Sequence, residues 1–341
     1  DPAGEDRGRW SPDGKHFLFV SARDGSQQVW IADFDPAGGD VIGSPRQLTN
    51  ISTEADGAIW SPDGKNILFT SEVYPGCGDD LCNKMSDEER AKSKVKALIF
   101  TRLFYRHWNT YTHYKRSHLF VAPVAGGTAT DVTRGDHDVP PFSLGGQDMY
   151  TISPDGKEVA FTSNIDEVEA TSTNNEIFVV PITGGEPKKL STSPGSDSTP
   201  LYSPDGRWLA WRMQVRAGYE SDRFRLVIYD RKSGQVRDLT ENFDQWVEGM
   251  AWAPDSKSIY FASESKGEAP IYVVNIDAPN QVHEVTRGTN DELSLSPDGK
   301  TLVFTRMSVE APNDVYKLAL GEKKAAQLTH LNDRVLAQVS M

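Results

Sequence analysis

Ser11-Pro12-Asp13-Gly14-Lys15 decides the fold, because it returns five times: at Ser61–Lys65, Ser153–Lys157, Ser203–Arg207, Ala253–Lys257 and Ser296–Lys300. Each copy suits a tight hairpin. Proline presets φ for the first central position of a type I turn, Asp tolerates the second, and Gly supplies a left-handed residue that re-enters a strand. The copies are spaced by 50, 92, 50, 50 and 43 residues, so they mark an array of structural repeats.

An apolar, strand-forming run follows every copy: Phe17–Val20, Ile67–Thr70, Val159–Thr162, Trp208–Trp211, Ile259–Phe261 and Leu302–Thr305. These runs do not alternate cleanly, which implies burial of both strand faces. A second set comes next: Val29–Ala32, Leu119–Val124, Ile177–Ile182, Leu226–Tyr229, Ile271–Val274 and Val315–Leu318. Each unit then closes on Leu/Val-Thr or Leu-Ser: Leu48-Thr49, Val132-Thr133, Leu190-Ser191, Leu239-Thr240, Val285-Thr286 and Leu328-Thr329. With the short piece before each turn, as in Ala58–Trp60, the unit has four strands, a to d. The expectation is an all-β protein: a β-propeller of four-stranded antiparallel blades. Six blades are visible, and the repeats are equally compatible with a seventh upstream.

The 92-residue interval reads as one blade, the second, carrying an insertion at 72–116. Within it, Ser86-Asp87-Glu88-Glu89 has the form of a capping box. Val95, Leu98, Ile99 and Leu103 recur at helical spacing, which predicts an amphipathic helix over roughly 87–103. Cys77 and Cys82 are the only cysteines in the chain. They read as a disulfide closing a small loop, and hence as a sign of an oxidising compartment, periplasmic or secreted, with two free thiols as the alternative. The chain opens on Asp1-Pro2 without Met, which is compatible with a removed export signal.

The 341 residues carry a net charge of −13, which argues against a nucleic-acid surface, and no run approaches the length of a membrane helix. Oligomerisation is left open. In a meander, the b–c and d–a connections share one side of a blade, and here they vary most: 72–116, 164–175, 212–224, 306–314 and Gly135–Pro141. That side is the expected functional one. GxSxG, HExxH, Gly-rich phosphate loops and EF-hand spacing are all missing from the sequence, and no cofactor is implied. His107, His113, His118 and His137, beside Asp136 and Asp138, lack a metal-ligand spacing and read as ordinary hydrogen-bonded histidines. Glu88 and Glu89 suit either a substrate's free amine or a helix start. Arg106, His107 and Trp108 suit a substrate path or packing of the insertion. Arg216, Tyr219 and Glu220 suit a ligand clamp or a salt-bridged rim with Arg212 and Arg223.

The stretch from Val73-Tyr74-Pro75 through Cys77, Cys82-Asn83-Lys84, Tyr105-Arg106-His107-Trp108 and Arg116-Ser117-His118-Leu119-Phe120 resembles the N-terminal propeller of prolyl oligopeptidase-family serine peptidases. Arg216–Glu220 with Asp222-Arg223 adds to the likeness, which is nearest to bacterial secreted dipeptidyl-peptidase and acylaminoacyl-peptidase types. The resemblance implies a propeller over residues 1–330 and a link at 331–341 to a C-terminal α/β-hydrolase domain. That partner domain would hold a Ser–Asp–His triad absent from this chain. It further implies a peptide substrate and a propeller that filters what reaches the catalytic centre.

Overall fold

The computed structural model describes residues 3–142 and 146–338. Six four-stranded antiparallel sheets follow one another along the chain, each a blade with strands in the order a-b-c-d. Blade 1 comprises Asp6–Trp10, His16–Ser21, Gln28–Asp35 and Asp40–Gln47; blade 2 comprises Asp56–Trp60, Asn66–Val73, Arg116–Pro123 and Thr130–Asp131. Tyr150–Ile152, Glu158–Ser163, Glu176–Pro181 and Lys188–Lys189 form blade 3. Strand a of blade 4 is Asp197–Tyr202, followed by Trp208–Met213, Arg225–Asp230 and Val236–Asp238. Blade 5 runs from Met250–Trp252 through Ser258–Ala262 and Ile271–Asn275 to Val282–Thr286, and blade 6 from Thr289–Leu295 through Thr301–Met307 and Asp314–Ala319 to Ala326–Gln327. The chain is a β-propeller. It divides into two compact units, Asp1–Pro200 and Leu201–Met341. The linker expected at 331–341 holds a one-turn helix, Asp333–Leu336, and its last three residues lie outside those described.

The recurring pentapeptide is the a–b hairpin in all six blades. In the first copy, Gly14 N–H donates to Ser11 C=O at 2.9 Å and Ser11 N–H donates to His16 C=O at 2.8 Å. Ser11 Oγ donates to Asp13 Oδ1 at 2.6 Å, and Asp13 Oδ1 also accepts from Lys15 N–H. Gly14 sits at φ +68, a conformation that penalises any Cβ. In the Ala253 copy that position is Ser256, at φ +60. Its hydroxyl accepts from Asp205 N–H of the preceding turn at 3.0 Å, which offsets the strain.

The Ser hydroxyl and the backbone N–H groups hold Asp13, Asp63, Asp205 and Asp298 below the ordinary aspartate value. For Asp63 the Ser61 hydroxyl is the main cause, followed by Lys65 N–H. A lowered folded-state pKa gives stability present above pH 3.8 and lost as pH falls through the folded value. Asp63→Asn should therefore lower the melting temperature at pH 7, and the gap to wild type should close by about pH 2. A gap independent of pH in thermal melts would show that Asp63 acts by shape alone.

The closing Thr or Ser has an equally local cause. In blades 1, 2, 3, 4 and 6 its hydroxyl accepts an amide near the start of strand c: Val29 N–H to Thr49, Leu119 to Thr133, Ile177 to Ser191, Leu226 to Thr240 and Val315 to Thr329, all at 2.8–2.9 Å. Strand d can then be as short as two paired residues.

Within each unit, neighbouring blades pack through the apolar faces of strands b and c. One core joins blades 1 and 2 through Leu18, Ile31, Ile67 and Phe69, and another joins blades 2 and 3 through Leu68, Leu119, Val159 and Phe161. In the second unit, Leu226, Ile228, Ile259 and Phe261 join blades 4 and 5. Indoles latch neighbours together: Trp60 Nε1 donates to Arg9 C=O at 3.0 Å, and Trp252 Nε1 to Leu201 C=O at 3.1 Å.

The insertion departs from expectation. Its helix, α1, is Asp80–Lys92, so it starts seven residues before 87 and stops well short of 103. Asp79 is the N-cap, accepting from Cys82 N–H at 2.8 Å, and Ser86–Glu89 lie mid-helix. The Gly78-Asp79-Asp80 turn places both the cap and a first-turn acid ahead of Ser86, while Arg90 and Lys92 suit the C-terminal dipole. Val95, Leu98, Ile99 and Leu103 lie beyond α1 in irregular, exposed chain. Cys77 and Cys82 are joined in a disulfide that ties the capping loop to the first helical turn. Closing so short a loop contributes about 2 kcal/mol, so Cys82→Ser should cost about that in chemical denaturation. An unchanged midpoint would mean the loop is held by Asp79 and Asn83 alone.

Candidate functional site

In the first unit, the variable connections meet. Arg116, at the start of strand c in blade 2, is almost fully buried and carries three carboxylates. Its Nη1 lies 2.6 Å from Asp138 Oδ2 and 2.7 Å from Glu169 Oε1, and its Nε lies 3.1 Å from Asp136 Oδ1. Asp136 and Asp138 belong to the blade 2–3 connection, and Glu169 to the b–c loop of blade 3. One guanidinium thus ties the insertion to both neighbouring loops. Burial alone would weaken its charge, but the carboxylates, led by Asp138, more than reverse that and hold its pKa above the usual arginine value. Asp138 Oδ1 also accepts from Ser117 N–H at 2.8 Å.

Beside this hub, Glu72, at the end of strand b in blade 2, lines a cavity of about 220 Å³ with Arg7, Asp56, Pro140, Phe142 and Tyr150. Its side chain meets water, yet protein surrounds it. That enclosure chiefly raises its pKa, and the nearby charges of Asp138 and Glu54 add to the effect; Lys115 opposes them. Among the described residues, no hydrogen bond or ion pair engages its carboxylate. A carboxylate short of counter-charge in such a recess is suited to a cationic group. Arg7 is already paired with Asp56 at 3.1 Å.

Above α1 the insertion continues as a limb, residues 93–115. It ends in a small hairpin, Arg106–His107 paired with Thr110–Tyr111, with Trp108 in the turn. Phe100 stacks on Tyr105, Tyr111 and Tyr114, with centroids 5.0–6.0 Å apart. The Tyr114 hydroxyl bonds both N–H and C=O of Ile99. Arg102 pairs with Asp136 at 2.6 Å, and Phe104 and His107 lie against Phe142. At the limb's base, Lys115 pairs with Asp87 at 2.8 Å, and Arg90 covers the rings of Tyr74 and Tyr114. The Tyr74 hydroxyl donates to Asp87, and burial pushes its pKa up to about 12.

The residues singled out in the sequence are thus dispersed. Glu88 pairs with Lys92 one helical turn on, at 3.3 Å, and Glu89 faces Tyr74 and Arg90 across a shallow recess. Arg106 Nη1 bonds to Trp108 C=O. His118 is buried, with Nδ1 2.8 Å from Asp131 and Nε2 3.0 Å from Gly135 C=O. Among the described residues, no three His, Cys, Asp or Glu side chains converge on a metal position, and no helix is long and apolar enough to cross a membrane.

In the second unit, Arg216, Tyr219 and Glu220 occupy the b–c loop of blade 4. Arg216 lies over the Tyr219 ring and 3.9 Å from Asp222, and Gln214 Nε2 bonds to Glu220 C=O. In the same unit Glu248, just before strand a of blade 5, has a raised pKa from burial and from Glu264, opposed by Arg212. Sequence reasoning missed Glu72 and Glu248.

Residues 150–336 match the TolB beta propeller domain family. The chain belongs to that family. Among curated relatives, this TolB-type propeller is 30% identical over 349 residues to dipeptidyl-peptidase 5 of Porphyromonas gingivalis, covering 97% of this chain and 47% of the relative. Dipeptidyl-peptidase 5 of Porphyromonas endodontalis is 31% identical over 338 residues, with the same coverage. The chain therefore spans about half the length of the curated relatives it matches. Among solved structures, an acylaminoacyl peptidase of Pyrococcus horikoshii superposes with a TM-score of 0.68 at 16% identity, covering 98% of this chain and 46% of the other, which establishes a shared fold.

Proposed function

We propose that this propeller is the substrate-gating half of an exported serine peptidase that removes dipeptides or acyl-amino acids from short peptides. The observation that carries the reading is the match to dipeptidyl-peptidase 5 along 97% of this chain and only 47% of the relative. The remaining half of such a protein would be an α/β-hydrolase domain with the nucleophile, base and oxyanion hole. The loops gathered by Arg116 would face that domain and the incoming peptide. The disulfide supports a periplasmic or secreted setting.

The peptide contacts we assign in the first unit are Arg106, His107 and Trp108 on the limb; Arg216, Tyr219 and Glu220 are assigned separately, within the second unit. The free carboxylate of Glu72 is the better candidate for a substrate ammonium than Glu88 or Glu89, since Glu88 already pairs with Lys92. In the full-length enzyme, Glu72→Gln should raise KM about tenfold and change kcat far less, the signature of lost binding shared by ground and transition states. An unchanged KM would remove Glu72 from the peptide path. The reading as a whole is tested by assaying the full-length protein on chromogenic dipeptidyl and acyl-aminoacyl substrates. Turnover abolished by a serine-directed phosphonate supports it. Absence of turnover on both classes defeats it, leaving a Tol-type scaffold for protein contacts.

A further inference from the structure

Arg306 lies near the end of strand b in blade 6, where the variable connection 306–314 begins. Its guanidinium is held along two edges. Nε donates to Asn290 Oδ1 at 2.8 Å, and Nη2 donates to Thr286 Oγ1 at 3.1 Å and to Arg287 C=O at 2.6 Å. The rings of Phe304 and Tyr316 lie against it, with centroids 5.1 and 5.2 Å away. Gly288 completes the seat, since a Cβ there would come within 2.9 Å of Nε. Asn290 is itself buried, and its Nδ2 donates to Ala269 C=O and Gly288 C=O at 2.8 Å each. The b–c loop of blade 5 and the step from blade 5 to blade 6 thus converge on one cation.

Every one of these partners is neutral. Arg116 gathers connections too, but it carries three carboxylates, whereas Arg306 carries none among the described residues. Its Nη1 has no hydrogen-bond partner among them and meets solvent. Glu268, the nearby acid, is already paired with Arg287 at 3.5 Å. Burial pulls the Arg306 pKa below the usual arginine value, with the charges of Tyr316 and Glu268 opposing that shift. A half-buried guanidinium fixed in one pose without a counter-ion is costly to the empty protein, and an incoming anion would relieve that cost. Because the pose is set in advance, little ordering is needed on binding.

We propose that Arg306 is a carboxylate-binding site, whose two remaining Nη1 protons take one ligand carboxylate end-on. The single positive charge suits a monoanion. A phosphate dianion calls for further cations, and Arg287 is committed to Glu268 and Glu284. The identity of the ligand, though not the site, rests on the peptidase reading: the carboxylate is then the C-terminus of a short peptide substrate. Such an enzyme would favour peptides with a free C-terminus over amidated ones.

Two measurements on the full-length protein test this. Phenylglyoxal labelling, read at Arg306 by peptide mass spectrometry, should slow about tenfold in saturating N-acetylalanine and stay unchanged in N-acetylalaninamide. Equal rates in the two overturn the site, and stronger protection by inorganic phosphate overturns the ligand class. The labelling needs no variant, so a misfolded Arg306→Met could not hide the answer. Short peptides are then compared as free acids and as C-terminal amides. KM should be about tenfold lower for the acid, and Arg306→Met should erase that difference, whereas a merely structural role would move acid and amide alike. A preference that survives Arg306→Met, or acid and amide with the same KM in wild type, overturns the peptide C-terminus as the ligand. Protection by N-acetylalanine without turnover of any peptide upholds the site and defeats the peptidase reading alone, making the ligand a free carboxylic acid.

Discussion

Arg116→Met is expected to destabilise the fold by about 3–5 kcal/mol, because it leaves a buried carboxylate without its counter-charge. Asp138 is 3% exposed and, among the described residues, its carboxylate receives only Ser117 N–H besides the guanidinium. Glu169 is 11% exposed and would lose its partner as well. Burial already raises the Asp138 pKa against the pull of Arg116, so without the guanidinium it would rise further, and the loss should be greatest at neutral pH and shrink in acid as Asp138 protonates. Urea denaturation at pH 7 and pH 5 measures this. A deficit below about 1 kcal/mol at pH 7 would show that water replaces the guanidinium without cost. The companion Asp138→Asn should be milder, since Arg116 retains Asp136 and Glu169.

In the second unit the largest expected effect is Phe261→Ala, at about 3–5 kcal/mol from lost transfer energy and an incompletely collapsed cavity. Phe261 is fully buried, with Phe243 edge-on at 5.7 Å and Tyr272 stacked at 5.9 Å. Two flanking aromatics restrict how far the site can close around an alanine. Phe261→Leu, which keeps most of the volume, should recover more than half of the deficit. If both variants melt alike, volume is not what the ring contributes.

The blades were legible in the sequence because each instruction is local. Ser-Pro-Asp-Gly specifies its turn within five residues, and Leu-Thr ends strand d by binding an amide some 14 positions back, as between Leu226 and Thr240. Repetition made both visible. The insertion had no such redundancy. Val95, Leu98 and Ile99 imitate a helical face, but Asp79 and the disulfide begin α1 earlier, and α1 ends at Lys92. The hub was illegible for a different reason. Arg116, Asp136, Asp138 and Glu169 span 54 positions and converge only because blades 2 and 3 stack. Glu72 looked like any strand-end polar residue, and its unmet charge emerges only beside Asp138 and Glu54.

The hydroxyl that closes blades 1, 2, 3, 4 and 6 has a consequence for how the protein behaves when crowded. With that bond in place, strand d needs only Thr130–Asp131, Lys188–Lys189 or Ala326–Gln327, so these outer margins offer a foreign strand almost no ladder to extend. Blades 1 and 5 have longer margins, of eight and five residues, and in blade 1 Gly43 at φ +67 and Pro45 interrupt the row of amide donors. A molecule built almost wholly of β-structure is thereby protected against growing into fibrils from its own perimeter.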